Sequence, residues 1–415
     1  MAFSVMIIGG GIGGLALAQG LRRAGIAGHV YERTAERTDW LQGYRIHINP
    51  AGARALHDCL APDAWQSFLD SVSAGDGGFG FLTDRCAELL GLADAEINDP
   101  SAAPADRHHG VSRIRLRETL LGGLDDVLHP GKTFTEYRIE GDRVSARFAD
   151  GTTAAADLLV GADGANSRVR GQLLPHAHRV DTGVVTVAGK FPLTAARAAE
   201  LPPVLTGRAN LVVPRGRGSL FTAVWRHDHR SGPAGDGADY VLWGFADAAG
   251  SLPPEVESLD GPALQALVTD RIRGWSPAFH RLIDGSDPAT VNAFKIKSAH
   301  PVDPWPTGRV TLLGDAIHNM TPMAGVGANT ALRDADLLRR ALIAARAGEA
   351  PLIQAVSRYE REMLGYGFAA VRRSLRNAQQ AAGSTWVQRA AFRTVLRLTT
   401  AVPPMRHAMA RGLGR

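Results

Sequence analysis

The sequence predicts an α/β fold, in which a Rossmann-type nucleotide-binding domain carries an inserted antiparallel β-sheet domain and is followed by C-terminal helices. Three observations predict it. A glycine-rich turn joins an apolar run at residues 4–8 to a helical pattern at 12–24. Short alternating runs separated by turn dipeptides fill the middle of the chain, and a helical pattern extends from 351 to about 398. A chain of 415 residues is long enough for more than one domain.

The first element is a βαβ unit close to the N-terminus. The helical pattern at 12–24 stops at Gly25, and His29–Glu32 predicts the second strand. The turn before the helix reads Gly9-x-Gly11-x-x-Gly14. In such a motif the first glycine permits a tight turn, the second lets the backbone approach a pyrophosphate, and the third lets helix and strand pack closely.

Glu32 strengthens the nucleotide-binding reading of this turn. It stands at the end of the second predicted strand, where a carboxylate can accept hydrogen bonds from an adenosine ribose. The alternative is a glycine-rich packing turn with no ligand. The combination of strand, glycine spacing, helix and terminal acid favours nucleotide binding over that alternative.

The middle of the chain changes pattern. Gly141-Asp142 and Asp150-Gly151 are turn dipeptides between short runs, so residues 135–160 predict an antiparallel meander that returns to a buried strand at 157–160. The remaining predicted elements are strands of a second sheet at 183–192, 208–226 and 239–247, a helix at 261–284, a buried strand at 309–313 and a helix at 327–346.

This order implies that one domain is assembled from separate stretches of sequence. We expect the nucleotide-binding domain to comprise residues 1–70, 105–175 and 295–350. We expect the β-rich substrate domain to comprise residues 71–104 and 176–294, and a helical segment to follow at 351–415.

Two further motifs follow buried strands. Asp163-Gly164-x-x-Ser167 has the residues of a turn before a helix, and a simple helix N-cap is its alternative reading. Gly314-Asp315 leads into Gly325, Gly327 and Asn329, which open the helix at 327–346. A carboxylate at a strand end can accept hydrogen bonds from a ribityl chain, and helix N-terminal amides stabilise negative charge. The alternative is a second structural turn.

Glycine-rich turns at both ends of the chain favour a single long cofactor held at two places. FAD has this character, because it joins an adenosine end to a flavin-ribityl end. Composition excludes several other classes. The formal charge is +5, but the cations are scattered arginines with only four lysines, so we expect no nucleic-acid partner.

Two cysteines, Cys59 and Cys86, provide no disulfide framework, and we expect no metal site. The cysteine count suits the cytoplasm. No apolar run is long enough for a transmembrane helix, so we expect no membrane partner. The sequence makes no prediction of the oligomeric state.

The three motifs together resemble those of the class A, single-component FAD-dependent monooxygenases, the group of para-hydroxybenzoate hydroxylase and the aromatic polyketide hydroxylases. The resemblance covers about residues 1–345 in motif order and spacing. It implies a Rossmann-type FAD-binding domain with an inserted antiparallel β-sheet substrate domain. It also implies that the first motif binds the ADP half of FAD, that Asp163 serves both FAD and transiently bound NAD(P)H, and that Asp315 contacts the ribityl chain.

The resemblance further places Arg45 and Arg113 at FAD, although Arg115 and Arg117 lie close to the latter and a surface salt bridge is the alternative for each. Arg33 follows Glu32 at the adenosine end and is not read as a binder of an NADPH 2′-phosphate. The predicted cofactor-binding residues are Gly9, Gly11, Ile12, Gly13, Gly14, Glu32, Arg33, Arg45, Arg113, Asp163, Gly314, Asp315, Gly325, Gly327 and Asn329.

The implied activity is hydroxylation of an aromatic or polycyclic, natural-product-like small molecule with NAD(P)H and O₂, through a flavin C4a-hydroperoxide. Epoxidation, Baeyer–Villiger oxidation, a flavin reductase or dehydrogenase without oxygen insertion, and a non-enzymatic flavin-binding protein are the alternatives. No motif identifies a catalytic base, and neither His300 nor His318 is assigned that role. The aromatic side chains Phe221, Trp225, Trp243 and Phe245 either line a flat pocket or belong to the core, and core is favoured for each.

Overall fold

The computed structural model describes residues 3–35, 44–73, 77–226 and 239–413. Its strands, in chain order, are β1 (Ser4–Ile8), β2 (Ala27–Tyr31), β3 (Arg45–Ile48), β4 (Phe79–Leu82), β5 (Glu88–Leu92), β6 (His109–Ser112), β7 (Leu128–His129), β8 (Phe134–Glu140), β9 (Arg143–Phe148), β10 (Thr153–Ala156), β11 (Leu158–Gly161), β12 (Arg179–Pro192), β13 (Ala209–Val212), β14 (Ser219–Trp225), β15 (Tyr240–Ala248), β16 (Asn292–Ala299) and β17 (Val310–Leu312).

Its helices, in chain order, are α1 (Ile12–Arg23), α2 (Pro50–Cys59), α3 (Pro62–Asp70), α4 (Asp94–Ile97), α5 (Arg113–Leu121), α6 (Arg168–Leu173), α7 (Ala195–Ala198), α8 (Pro203–Gly207), α9 (Gly261–Arg271), α10 (Pro277–Asp284), α11 (Asp315–His318), α12 (Gly327–Arg346), α13 (Leu352–Gly383), α14 (Trp386–Ala401) and α15 (Pro403–Gly412). Among these described helices, none combines the length and the apolar character needed to cross a membrane.

A five-stranded parallel sheet forms the nucleotide-binding domain, in the order β17-β11-β1-β2-β7. Its central strands are apolar along almost their whole length, as expected for a parallel sheet covered on both faces. The helices α1 and α12 pack on one another beside this sheet. The predicted βαβ unit and the discontinuous assembly of this sheet are therefore confirmed. The predicted meander is confirmed as the separate antiparallel sheet β10-β9-β8.

A seven-stranded sheet forms the second layer, in the order β16-β12-β15-β14-β13-β4-β5. One face of this sheet packs on α9 and α10. Trp243 and Phe245 of the sheet and Phe279 of α10 are buried together in this core. The second sheet was predicted, but its strand at 208–226 was predicted as one piece. That prediction is wrong, because β13 and β14 are separate strands that pair antiparallel around a turn containing Pro214 and Gly218.

Two predicted helices are divided in the structure. The helix at 261–284 is α9 and α10, and α10 begins at Pro277 after the N-cap Ser276. The helical segment after 351 is α13, α14 and α15. Thr385 caps α14 through a reciprocal pair with Gln388, and the proline after Val402 disfavours helical backbone at that valine. The predicted helix at 327–346 matches α12 at both ends.

The sheet that carries β16 continues beyond residue 294, where the predicted substrate domain ends. The domain boundaries themselves remain predictions. Both cysteines are free. Cys59 is a buried core residue, and Cys86 is half-buried in the turn between β4 and β5.

Candidate active site

A cleft of about 1640 Å³ lies between the two large sheets. It is larger than the roughly 300–1,000 Å³ of an ordinary small-molecule pocket. One wall carries the glycine turn before α1 and the loops after β11 and β17, and the opposite wall is the open face of the seven-stranded sheet. The cleft therefore has room for an extended dinucleotide together with a second small molecule.

The glycine turn before α1 gives each of its three motif glycines a distinct role. Gly9 has a φ of +112°, and a Cβ there would overlap the carbonyl group of Ala162. A Cβ on Gly14 would overlap the carbonyl oxygen of Gly9, so this glycine permits close packing of helix on strand. A Cβ on Gly11 would meet no atom within 4 Å and would instead enter the cleft. Gly11 thus leaves open the space that a pyrophosphate needs at the helix N-terminus.

Glu32 lies buried directly beneath this turn. Its carboxylate accepts hydrogen bonds from the amides of Gly10 at 2.6 Å and Thr34 at 2.9 Å. Arg117 donates to the carbonyl oxygen of Gly10 at 2.9 Å. Arg117, which no sequence motif identifies, therefore helps to hold the turn. Arg33 is exposed at the same edge of the sheet.

The other end of the cleft is formed by the Gly314-Asp315 turn after β17. Gly314 has a φ of +62°, and its amide donates to Asp334 Oδ2 at 2.7 Å. Asp315 is exposed and lines the cleft at the first position of α11. The buried carboxylate of Asp334 also accepts hydrogen bonds from His318 Nε2 at 2.7 Å and from the Tyr366 hydroxyl. A network of buried polar groups therefore fixes the turn that presents Asp315.

The N-terminus of α12 opens onto the same end of the cleft. Gly325 adopts a left-handed conformation with φ of +64°, and Gly325 and Gly327 both line the cleft. Within the described part of the chain no side chain caps α12, and its first turn contains no acidic residue. The free amides of a 20-residue helix therefore point into the cleft, where they favour a bound negative charge.

Two further predicted site residues, like Glu32, have side chains that bond to protein. Asp163 accepts hydrogen bonds from Ser167 Oγ at 2.5 Å and from the amide of Arg168 at 2.8 Å, so it holds the start of α6. Asn329 accepts from the amide of Asn49 at 2.8 Å and donates to the carbonyl oxygen of His47 at 2.8 Å. We infer that both residues shape loops around the site, and direct contact with a cofactor stays a prediction.

Arg45 lies on β3 and lines the cleft, with its guanidinium across Gly110 of the paired strand β6. Its Nε is buried and has no hydrogen-bond partner among the described residues. Burial lowers the pKa of Arg45, although the group stays charged at neutral pH. A buried donor that faces an open cleft is suited to an anionic or carbonyl-bearing ligand.

Arg113, the first residue of α5, also lines the cleft and is exposed. Arg115 and Arg117, on the same helix, have protein partners. Arg115 pairs with Glu118 at 3.3 Å, and Arg117 binds the glycine turn. Of these three arginines, Arg113 is the one that borders the cleft.

The wall of the cleft opposite the glycine turn is the apolar face of the seven-stranded sheet, with Phe221, Leu242, Phe294 and Ile296 in it. The prediction that the aromatic residues belong to the core is confirmed for Trp225, Trp243 and Phe245, which are buried. Phe221 is half-buried and borders the cleft.

Sequence reasoning missed a histidine pair in the cleft wall. His47 Nε2 lies 2.9 Å from His108 Nδ1, and the rings stack with centroids 5.0 Å apart. Burial, with the nearby charge of Arg45, lowers the pKa of His47 to about 3, so this imidazole is neutral at neutral pH. Only the pairing of β3 with β6 brings the two together, and no local sequence signal shows that pairing.

The cleft fits FAD in three observable respects. Its glycine turn leaves room for a pyrophosphate at Gly11, and its far end presents the exposed carboxylate of Asp315. Its wall also carries the buried, unsatisfied Nε of Arg45, and the uncapped N-terminus of α12 lines the same cleft. Of the predicted site residues, Gly11, Ile12, Gly13, Gly14, Arg45, Arg113, Gly314, Asp315, Gly325 and Gly327 line this one cleft.

Comparison with known proteins agrees with this fit. A family model described as an FAD binding domain matches residues 278–374. A dual O-methyltransferase/FAD-dependent monooxygenase of Phaeosphaeria nodorum is 32% identical over 395 residues, which cover 85% of this chain and 42% of that protein. The chain thus spans less than half the length of this relative. A 3-amino-4-hydroxybenzoate 2-monooxygenase of Streptomyces platensis is 30% identical over 86% of this chain and 83% of its own length.

A solved structure shows the same relationship in three dimensions. A protein of Photorhabdus luminescens, assigned as an FAD-containing monooxygenase, is 38% identical and superimposes with a TM-score of 0.83. The match covers 92% of this chain and 99% of that protein. Motifs, cleft and relatives agree, and this chain belongs to the family of FAD-dependent monooxygenases.

Proposed function

We propose that this chain uses NAD(P)H and O₂ to hydroxylate an aromatic or polycyclic small molecule. The observation that carries the proposal is one continuous cleft, in which both nucleotide motifs face an apolar sheet wall. A relative that covers most of this chain acts, by its name, on an aminohydroxybenzoate, which is a flat aromatic ring. The apolar wall of this chain supports a substrate of the same general class.

In this proposal, the glycine turn at Gly11 would hold the pyrophosphate of FAD, Asp315 would accept hydrogen bonds from its ribityl chain, and the α12 amides would favour negative charge on its flavin. When bound, FAD supplies the redox chemistry that reduces O₂ and transfers one oxygen atom to the substrate. The protein contributes position and electrostatics. The uncapped N-terminus of α12 stabilises negative charge at the ring, because its amides are oriented before any reaction occurs.

The apolar wall has two tasks. Phe221, Leu242 and Phe294 provide a flat surface against which an aromatic ring can pack. They also displace water from the space where oxygen transfer takes place, which prevents wasteful side reactions.

His47 and His108 are the polar groups that we place near the substrate. His47 is uncharged, because burial lowers its pKa to about 3, so it is a weak base for a phenol proton. Nε2 of His47 faces His108, so Nδ1 is the nitrogen that could form a hydrogen bond with a polar group of the substrate. We infer an orienting role for this pair.

The test measures the consumption of NADPH and NADH by the FAD-loaded protein over a panel of phenols, hydroxybenzoates, hydroxyquinolines and polycyclic aromatics. We expect at least one compound to stimulate consumption and to carry one labelled oxygen atom when isotope-labelled O₂ is supplied. A labelled epoxide or ester would indicate the alternative oxygenations. Stimulated consumption with no label in the product would indicate a reductase or dehydrogenase, and no stimulation by any compound would favour a flavin-binding protein.

A further inference from the structure

The described part of the chain concentrates its exposed large apolar side chains in one place. Seven of the ten such residues lie between 386 and 405, on α14 and the start of α15: Trp386, Val387, Phe392, Val395, Leu398, Val402 and Met405. Phe392 packs edge-on against Phe81 and lines the cleft. The exposure of the other six needs a separate explanation. Contiguous exposed apolar surface on a soluble protein marks an interaction site.

The helix α14 is inverted relative to an ordinary surface helix, which buries its apolar side chains. Its inward face carries two buried arginines. Arg389 donates to the carbonyl oxygens of Gly218 at 2.8 Å and Ala381 at 2.9 Å, and Arg393 pairs with Asp84 at 3.0 Å. These hydrogen bonds fix the rotation of the helix about its axis.

With the arginines inward, an apolar stripe points outward. Val387, Val395 and Leu398 are spaced eight and three residues apart, which places them on one helical face, and Val402 follows as the C-cap residue of the helix. Val387 is 54% exposed and Leu398 is 53% exposed, while Trp386 at the start of the helix is 75% exposed. We call these five residues the outward stripe.

The positive charge of the C-terminal region favours an anionic partner for the outward stripe. Residues 363–415 contain nine arginines and neither aspartate nor glutamate, although the whole chain has a formal charge of only +5. Five of them are placed elsewhere: Arg389 and Arg393 are buried, Arg373 and Arg376 line the cleft, and Arg406 pairs with Glu96. Arg397 on α14 and Arg411 on α15 are exposed. A symmetric contact between two copies of this face would bring like charges together, which disfavours self-association.

We propose that the outward stripe docks on the surface of an anionic phospholipid bilayer. An amphipathic helix with an apolar face, flanking arginines and a tryptophan at one end has the chemistry of a helix that lies in the membrane interface. The absence of a long apolar run argues against a spanning helix, and it does not argue against a helix that lies on the surface. Gln388 and Phe392 of the same helix line the cleft, so docking would bring the cleft close to the lipid.

Co-sedimentation of the FAD-loaded protein with vesicles tests the proposal. It measures the fraction of protein bound to vesicles of phosphatidylcholine alone and to vesicles that also contain phosphatidylglycerol. We expect about tenfold or stronger partition to the anionic vesicles at low salt, and weaker binding as salt is added. Leu398→Asp is expected to lower that partition about tenfold or more, because it replaces an apolar side chain that would enter the bilayer with a negatively charged one. The control Ile139→Asp changes a side chain of similar exposure, 54%, on the distant meander and is expected to bind as the wild type does.

Circular dichroism and FAD content establish that both variants are folded. Should Leu398→Asp fail to fold, the fluorescence of wild type minus that of Trp386→Phe reports Trp386 alone, and a blue shift with anionic vesicles is expected. Failure of the wild type to bind anionic vesicles at low salt would overturn the proposal. So would an equal loss in both aspartate variants. A concentration-dependent dimer that Leu398→Asp disrupts, without vesicle binding, would assign the stripe to a second copy instead.

Discussion

His318 Nε2 lies 2.7 Å from the carboxylate of Asp334, and both side chains are buried beneath the turn that presents Asp315 to the cleft. The same carboxylate accepts the amide of Gly314 and the hydroxyl of Tyr366. Burying a carboxylate costs desolvation free energy, and removing any of the three groups that donate to it leaves a buried charge less well compensated. Its position directly behind Gly314-Asp315 indicates that it sets the shape of that turn.

We predict that Asp334→Ala destabilises the protein strongly. Removing one partner of a buried pair leaves uncompensated polar groups, and the expected loss in the free energy of unfolding is about 3–5 kcal/mol. Urea unfolding of the FAD-free protein measures it. The control is Asp336→Ala, two residues further along α12, where the mostly buried carboxylate pairs with Arg339 and with the exposed side chain of Arg340, so we expect a smaller loss. An equal, small loss in both variants would contradict the structural role given to Asp334.

His318 predicts a pH dependence of stability. Burial alone would lower the pKa of His318, but the charge and hydrogen bond of Asp334, with a contribution from Asp315, raise it overall above 6.5. A pKa that is higher in the folded than in the unfolded state adds stability that is complete below 6.5 and is lost as the pH rises through the folded value. We therefore expect the free energy of unfolding to decline over that rise.

Unfolding measured across this pH range in wild type and His318→Gln isolates the contribution. The substitution should flatten the decline, whereas His407→Gln, which changes an exposed histidine on α15, should leave it in place. A decline of the same size in His318→Gln would show that other groups cause it.

Asn329 predicts a coupling between the α12 N-terminus and the strand that carries Arg45. Asn329→Ala removes the acceptor of the Asn49 amide and the donor to the His47 carbonyl oxygen. The cost of the unsatisfied buried amide is about 1–3 kcal/mol in the free energy of unfolding. Thermal unfolding measures that cost, and a titration with FAD should show weaker binding as well. Wild-type stability and affinity in this variant would show that the tie is dispensable.

The glycine turn predicts that the same small substitution destabilises the protein at one position and is tolerated at another. Gly14→Ala inserts a Cβ that overlaps the carbonyl oxygen of Gly9, so we expect the free energy of unfolding to fall by about 1–3 kcal/mol. Gly11→Ala inserts a Cβ into open space, so the stability of the FAD-free protein should change by less than about 0.5 kcal/mol. Chemical unfolding of both FAD-free variants compares them. A large loss in Gly11→Ala would mean that this glycine serves packing.

The local features of the fold were predictable because each depends on a short stretch of sequence. The strand–glycine–helix pattern around Gly11 predicts β1 and α1, and the glycines at 325 and 327 predict the start of α12. Contacts between distant segments were not predictable. Asp334 meets Gly314 across 20 residues, and His47 meets His108 across 61. The outward stripe was not predictable either, because its periodicity fits a buried helix face equally well. The inward contacts of Arg389 and Arg393 show which face of α14 points to solvent.

The central claim is that one FAD spans the cleft from Gly11 to Asp315, and comparing the affinities of FAD and riboflavin tests it most directly. Riboflavin has the ring and ribityl chain but no pyrophosphate. Fluorescence titration of the apoprotein should show that Gly11→Ala raises the FAD dissociation constant about tenfold or more and leaves that of riboflavin unchanged. Asp315→Ala should raise both by about tenfold, since it removes a charged acceptor from the shared chain. Unchanged FAD affinity in either variant would contradict the claim.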